Sequence, residues 1–465
     1  MKHLTTLAIL LATTSLASAA SNESFIIQAG KKNNAIVGQT NGHNKQATGQ
    51  FGNDNSAVTA QQTTGKNSNE SGTLEIGNKN TSTVGQLGGN NSQGTLQIGD
   101  KNNAVTLQTN DTDNKNKSFT GQFGNGNNSV AGQAGGNNNQ TTLQFGAGKD
   151  SGNLAVTGQL TAANGGKNDS KIIQAGAENT AKVNQDSEGA ASGKNPGLGG
   201  TNNQFTLQVG AGNTAKTNQD SIGSGKGSSA ESGVKNDAAT LQFGFDNSST
   251  TNQSGASDGK KADKADNASL TAQFGVDNSA KTNQVNGNNL QATLQVGVGN
   301  VAKTKQTNAE DANNVNASLI AQFGKDNTAT AKQTNGDNLQ GTVQIGKDNT
   351  ATTKQKNVDG GNGINASLTL EAGKGNTAVT SQKIADPLNS GINGSLIAQL
   401  GKNNSATVHQ GDTGVQPMIG QNLQATVQAG NGNNATTVQT ASANVSNASV
   451  TAQFGSHNVA ITTQK

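Results

Sequence analysis

The chain has 465 residues, of which 29% are apolar and 2% aromatic, with no Trp, Tyr or Cys; this excludes a large conventional core and a disulfide framework. Its net charge of +3 comes from lysines scattered among acidic residues, with no Arg, so planar bidentate recognition of phosphate or guanine is unavailable and nucleic acid is not an expected partner. Sixty-two Gly and three Pro, with abundant Asn, Gln, Thr and Ser, describe a polar, weakly charged chain of the kind that stacks as β-structure.

Residues 1–19 read as a secretory signal peptide: Lys2, an apolar stretch from Leu4 to Leu16, and Ala17, Ser18 and Ala19 as a small-residue cleavage site. The stretch is too short for a membrane anchor, and no later segment is apolar enough to span a bilayer. The expected location is therefore extracellular.

From residue 24 onward one pattern recurs: Gln, one residue, Gly, two residues, Asn, one residue, Ala, three residues, Gln. It begins with Gln28, Gly30, Asn33, Ala35 and Gln39, then Gln50, Gly52, Asn55, Ala57 and Gln61. Further on it reads Gln273, Gly275, Asn278, Ala280 and Gln284, then Gln295, Gly297, Asn300 and Gln306. Gln322, Gly324, Asn327 and Gln333 follow, then Gln344, Gly346, Asn349 and Gln355, and the last copy is Gln453, Gly455, Asn458, Ala460 and Gln464. Seventeen copies are countable. Glu75 and Glu371 replace the first Gln, Ser82, Ser129 and Ser249 replace the Ala, and one copy carries extra residues between Gly146 and Asn153.

The shortest step between copies is 22 residues, and Gln28, Gln39, Gln50 and Gln61 are each 11 apart. One rung is thus two similar arms. Each arm reads as a strand of about five or six residues at about 3.3 Å per residue, followed by a tight arc. Gly30 or Gly275 supplies a positive φ, and the Asn three residues later is expected to adopt the left-handed region. Asn41–Gly42, Asn286–Gly287 and Asn335–Gly336 turn the opposite edge.

The fold expected is all-β: a two-sheet parallel β-solenoid of about 17 strand-arc-strand rungs, about 22 residues each, stacked about 4.8 Å apart so that Gln and Asn form amide ladders. Residues 20–465 form one solenoid in this reading, and its insertions, mainly at one edge (186–204, 220–236 and 254–267), are polar loops. The named Gln, Gly, Asn and Ala positions are structural ladder residues. A catalytic residue is needed once, whereas these recur in every rung.

Parity leaves two readings of the first arm. In Ser269–Gly275 the Gln shares a face with Ser269 and Thr271, while Leu270, Ala272 and Phe274 share the other; Leu319, Ala321 and Phe323 repeat this. In the second arm Lys182, Lys216, Lys303 and Lys354 sit opposite the Gln face, so Gln must point inward there. If it also does so in the first arm, Leu270, Ala272, Phe274, Leu319 and Phe323 form an outward stripe suited to lateral packing. If not, the apolar residues are the core.

The pattern at Gln273–Gln284 and Gln322–Gln333 closely resembles the curlin repeat of bacterial curli subunits, and the resemblance covers residues 24 to 465. It implies a β-solenoid exported through a dedicated outer-membrane pore, nucleated by a minor subunit at the bacterial cell surface, and polymerised with itself into functional amyloid fibres of a biofilm matrix, used in adhesion and cell aggregation. Two departures stand out. Ala20 to Glu23 leaves a very short segment before the first repeat, and Thr271, Thr293 and Thr342 occupy a position often apolar in the family, against Ile320 and Ile397 here.

A structural subunit, not an enzyme, is the expected function. A non-polymerising repeat adhesin or an ice-binding solenoid is the alternative, suggested by Thr pairs such as Thr328/Thr330 and Thr81/Thr83. No cofactor or metal is expected: Asp111, Asp113 and Asn114 read as a solvated loop, not a calcium site. His3, His43, His409 and His457 are scattered, His3 within the leader.

Overall fold

The computed structural model describes residues 22–63, 67–146, 152–161, 166–189, 200–223, 234–256, 266–309, 314–358, 363–385, 391–412, 420–441 and 445–465. The chain forms an all-β parallel β-solenoid, with no helix among the described residues. It divides into two compact units, Met1–Gly225 and Lys226–Lys465. The signal-peptide reading at 1–19, the extra residues at 147–151 and the centres of the three long insertions (190–199, 224–233 and 257–265) lie outside the described residues.

In the first unit each first-arm strand pairs in parallel with the next first-arm strand, and each second-arm strand with the next second-arm strand. Asn22–Lys31 pairs with His43–Asn53, and Asn34–Thr40 with Ser56–Gln62. Thr81–Ile98 and Asn103–Phe123 are long enough to serve as a second arm and the following first arm, with a register shift between Gly88 and Asn90. In the second unit, Asp266–Val276 pairs with Asn288–Val298 and Ser279–Val285 with Val301–Thr307. Register follows the repeat: Gln28 lies against Gln50, Gln273 against Gln295, and Gln284 against Gln306. A shift of one residue would turn every amide outward. Typical strands span 7 or 11 residues, longer than the five or six expected. They also run into the insertions, since Asp186, Ser187 and Glu188 pair with Asp220, Ser221 and Ile222.

The arc glycines behave as their position demands. Gly275 has a φ of 123°, and a Cβ there would meet the carbonyl oxygen of Gly297 at 2.0 Å. The arc Asn does not adopt the left-handed conformation expected of it. That conformation belongs to the residue before it: Lys32, Asp54, Asp277, Asp326 and Asp348 have φ between 55° and 58°, and Gly299 takes the same place at 68°. The reason is hydrogen bonding. Each Asn is turned inward to bridge rungs, so the left-handed step falls on its solvent-facing neighbour. At the other edge, Asn286–Gly287 and Asn335–Gly336 have positive φ at both positions, as their sequence predicts.

Parity is resolved by burial. Gln273, Gln295, Gln322 and Gln344 are 0% exposed, while Leu270, Phe274 and Leu319 are 45%, 38% and 49% exposed. Gln faces inward in both arms. The interior is lined by amides, hydroxyls and alanines such as Ala57, Ala280 and Ala302. Three isoleucines supply apolar bulk: Ile172, Ile320 and Ile397, each packed against Ala and, for Ile172 and Ile397, Val on the facing arms.

Candidate functional site: buried ladders and an apolar outer face

Burying so many amides is tolerable only if each is hydrogen-bonded, and here the stacking itself supplies the partners. In the second arm each Gln Nε2 donates to the Oε1 of the Gln in the next rung, from Gln39 to Gln61 (2.8 Å) through Gln185 to Gln219 (2.8 Å) in the first unit. In the second unit the same ladder runs from Gln253 through Gln284, Gln306, Gln333, Gln355, Gln382, Gln410 and Gln439 to Gln464 at 2.7–2.9 Å. Every link points the same way along the chain.

The first-arm ladder has the same polarity but is interrupted. Gln28 donates to Gln50 (2.5 Å) and Gln50 to Glu75 Oε2 (2.7 Å); the ladder resumes at Gln97 to Gln122. In the second unit Gln273, Gln295, Gln322 and Gln344 are linked at 2.8 Å, Gln344 donates to Glu371 Oε2 (2.6 Å), and the ladder resumes at Gln399 to Gln428 (2.7 Å).

The Asn row bonds in the opposite sense. The backbone N–H and Nδ2 of Asn278, Asn300, Asn327 and Asn349 each donate to the Oδ1 of the Asn one rung earlier, at 3.0–3.2 Å. The Nδ2 of Asn55 also reaches forward to the carbonyl of Gly77 (2.8 Å), and that of Asn278 to Gly297 (2.9 Å). The Gln, Gly and Asn of the repeat therefore form one connected network. Gln28, in an edge strand, is exposed, and Gln39, Gln464, Ala35 and Ala460 are half-buried.

A second network was not anticipated. Four residues before the first Gln, rungs carry Ser or Gln in alternation, with Ala238 in place of either in one rung. The Ser hydroxyl donates to the Gln Oε1 of the next rung: Ser71 to Gln93 (3.0 Å), Ser118 to Gln140 (2.7 Å), Ser269 to Gln291 (2.8 Å), Ser318 to Gln340 (2.8 Å). That Gln then donates to the Thr two residues on, as in Gln93–Thr95, Gln291–Thr293 and Gln340–Thr342. Thr is thus an acceptor in Gln rungs and can give way to Ile172, Ile320 or Ile397 in Ser rungs. Where two Ser rungs adjoin, at Ser367 and Ser395, the Ser367 hydroxyl is buried without a partner. The signal was present in the sequence as alternating Asn-Ala-Ser-Leu and Asn-Leu-Gln-Ala, obscured by insertions between copies.

The outer face alternates in the same rhythm. Leu270, Leu319 and Leu368 stand two residues past the Ala268, Ala317 and Ala366 of their rungs, whereas Leu290 and Leu339 precede Ala292 and Gly341. Each large side chain leans over a small neighbour: a Cβ on Gly341 would meet Leu368 at 3.0 Å, and one on Gly394 would meet Leu423 at 2.9 Å. Phe243 and Phe274 stack with ring centroids 5.1 Å apart, and Phe123 and Phe145 at 5.0 Å. A groove of about 420 Å³ in this face is bounded by Leu339, Leu368, Leu396, Leu423 and Val450. Of the candidate packing residues, Ala272 and Phe323 are half-buried, and the other three project outward.

The second-arm outer face is cationic. Lys182 lies against Lys216 in the first unit, and in the second Lys281 lies against Lys303, Lys305 against Lys332, and Lys332 against Lys354. Like charges one strand spacing apart repel unless hydrated or countered. His43, His409 and His457 are exposed and distant from one another in the chain, and the side chains of Asp111 and Asp113 lie outside the described residues. No helix among the described residues is long and apolar enough to cross a membrane. No protein-family model matches the chain, and no curated protein matches it.

Proposed function

We propose that the chain is a secreted structural subunit that assembles head-to-tail into extracellular amyloid fibres of the curli type, as a two-sheet stack of seventeen rungs. The observation that carries this reading is the single polarity of the Gln ladders: a second-arm Gln donates its amide N–H to the rung that follows and accepts from the rung before. The two faces of a rung are therefore complementary, and a rung of a second chain can dock on an open face as a rung of the same chain does. Strand edges presented in this way recruit further strands.

In this reading each chain adds roughly 80 Å of fibre at the cross-β spacing. The apolar outer face, which also carries Lys45, Glu70, Asp169 and Lys171 in the first unit, bundles stacks laterally. A leader at 1–19 delivers the chain to export, and a curli-type pore and a nucleating subunit are its proposed partners in a biofilm matrix. The test is fibre diffraction and thioflavin binding of the purified chain. A meridional reflection near ~4.8 Å is expected; a chain that stays monomeric and thioflavin-negative refutes the proposal.

One observation favours the ice-binding alternative. Thr328, Thr350 and Thr377 stack in register, as do Thr330 and Thr352. Lys332 and Lys354 share that face and interrupt it. Thermal hysteresis in the soluble chain would support that alternative.

A further inference from the structure

The two breaks in the first-arm ladder are chemically identical. Glu75 and Glu371 are 0% and 1% exposed, and each accepts a hydrogen bond through Oε2 from the Gln of the preceding rung. The register stacks Glu75 against Gln97 and Glu371 against Gln399. Each pair leaves the same two oxygens buried without a partner: Glu75 Oε1 with Gln97 Oε1, and Glu371 Oε1 with Gln399 Oε1. Elsewhere along the first-arm ladders within each unit, the Gln below supplies an N–H to that oxygen. An ionised carboxylate has no hydrogen to give, so two acceptors are stacked on each other out of reach of bulk solvent.

We propose that Glu75 and Glu371 are protonated in the folded stack, each carboxylic O–H donating to the amide oxygen of the next rung, so that the fibre carries two proton-dependent links. A protonated Glu has nearly the shape of Gln and offers one O–H where Gln offers N–H, which closes the ladder without moving the backbone. The surroundings are free of charge on the interior side. Around Glu75, His43, Lys45, Asp54, Glu70 and Lys79 are exposed and Asp100 is half-buried at the arc. Around Glu371, Lys347, Asp348, Lys354, Lys356, Lys374, Lys383, Lys402 and His409 are exposed and Asp337 is half-buried. None occupies an inward position. Desolvation accordingly pushes both carboxyls from 4.5 up to about 8, against the opposing pull of the Gln50 amide on Glu75, and of the Gln344 amide and the Ala378 backbone on Glu371.

The sign of the pH dependence follows. Below pH 4.5 both folded and unfolded chains hold these protons and the links cost nothing. Between 4.5 and about 8 the unfolded carboxyls ionise while the folded ones do not. Folding of the affected rungs then weakens about tenfold per pH unit per glutamate. Above about 8 the loss levels off. The links are thus strongest in acid.

The test uses the full chain and its E75Q/E371Q variant, which restores at both levels the residue every other rung carries. Infrared spectra in D2O at pH about 6, where exposed carboxylates are ionised, should show a protonated-carboxyl carbonyl band in the wild type that the variant lacks. Hydrogen exchange across Ser68–Ile98 and Ile364–Lys402 should accelerate from pH about 5 to about 8, beyond the intrinsic pH effect, by about tenfold in opening per unit. The variant should keep a flat opening equilibrium. Absence of the band, or identical opening profiles in the two proteins, overturns the proposal. So does stabilisation that follows sodium or calcium concentration without the band, since a bound cation would then join the oxygens.

Discussion

Two threonines at the same place in the repeat should respond to the same substitution with opposite sign. Thr271 lies in a Ser rung, and its Oγ1 is buried without a partner; Thr293, one rung on, accepts the amide of Gln291. Thr271→Val replaces an unsatisfied hydroxyl by a methyl of the same shape. Burying that methyl contributes about 0.8 kcal/mol, and removing the orphan hydroxyl adds to the gain, for about 1–2 kcal/mol of local stabilisation. Thr293→Val gains the same methyl but strands the Gln291 amide at about 1–3 kcal/mol, so the net is a loss of about 1 kcal/mol. Native-state hydrogen exchange over Asp266–Val298 reads both, because opening of a few rungs is measurable in a repeat protein without global unfolding. Urea midpoints of the soluble chain give a second measure. Equal shifts of one sign, or a stabilised Thr293→Val, would refute the alternating Ser–Gln–Thr network.

Further outcomes follow from the same geometry. Gly297→Ala, where φ is 129° and a Cβ would meet the Gly324 carbonyl oxygen at 1.9 Å, should part adjacent rungs and abolish the cooperative urea transition across them, whereas Gly38→Ala, with open space at its Cβ, should leave the midpoint within about 0.5 kcal/mol. Ser269→Ala leaves Gln291 Oε1 without its donor and should cost about 1–2 kcal/mol locally by hydrogen exchange, while Ser367→Ala, whose hydroxyl has no partner, should be neutral or stabilising. Replacing Leu319 and Phe274 together by Glu should leave thioflavin-positive fibres that electron microscopy shows as single filaments; unchanged bundles would remove the apolar face from lateral packing.

The ladders were legible because a ladder needs the same residue at every level, and Gln273, Gly275, Asn278 and Gln284 recur with their spacing intact. Which side of the first strand faces inward was not, since Leu270 and Phe274 satisfy the parity of a core as well as that of an outer stripe. What decides it is the cross-section. Both arms contribute Gln, Asn, Ala and Thr to a shared interior that the three isoleucines fill at 0% exposure, and the larger Leu and Phe are left outside. The left-handed residue was misplaced by one because the tolerance of Asn for that conformation was weighed without its bonding. Asp277, Asp326 and Gly299 before the Asn were the better clue. The threonines that look like a thinned core in the sequence are acceptors in half the rungs.

The Ser–Gln alternation also sets a grammar for how such a chain changes length. From Ser269 to Gln340 every Ser finds a Gln above it, so gain or loss of two rungs by unequal recombination preserves each contact. A change by one rung places like on like. Ser367 beneath Ser395, with its stranded hydroxyl, has the form of such an odd step.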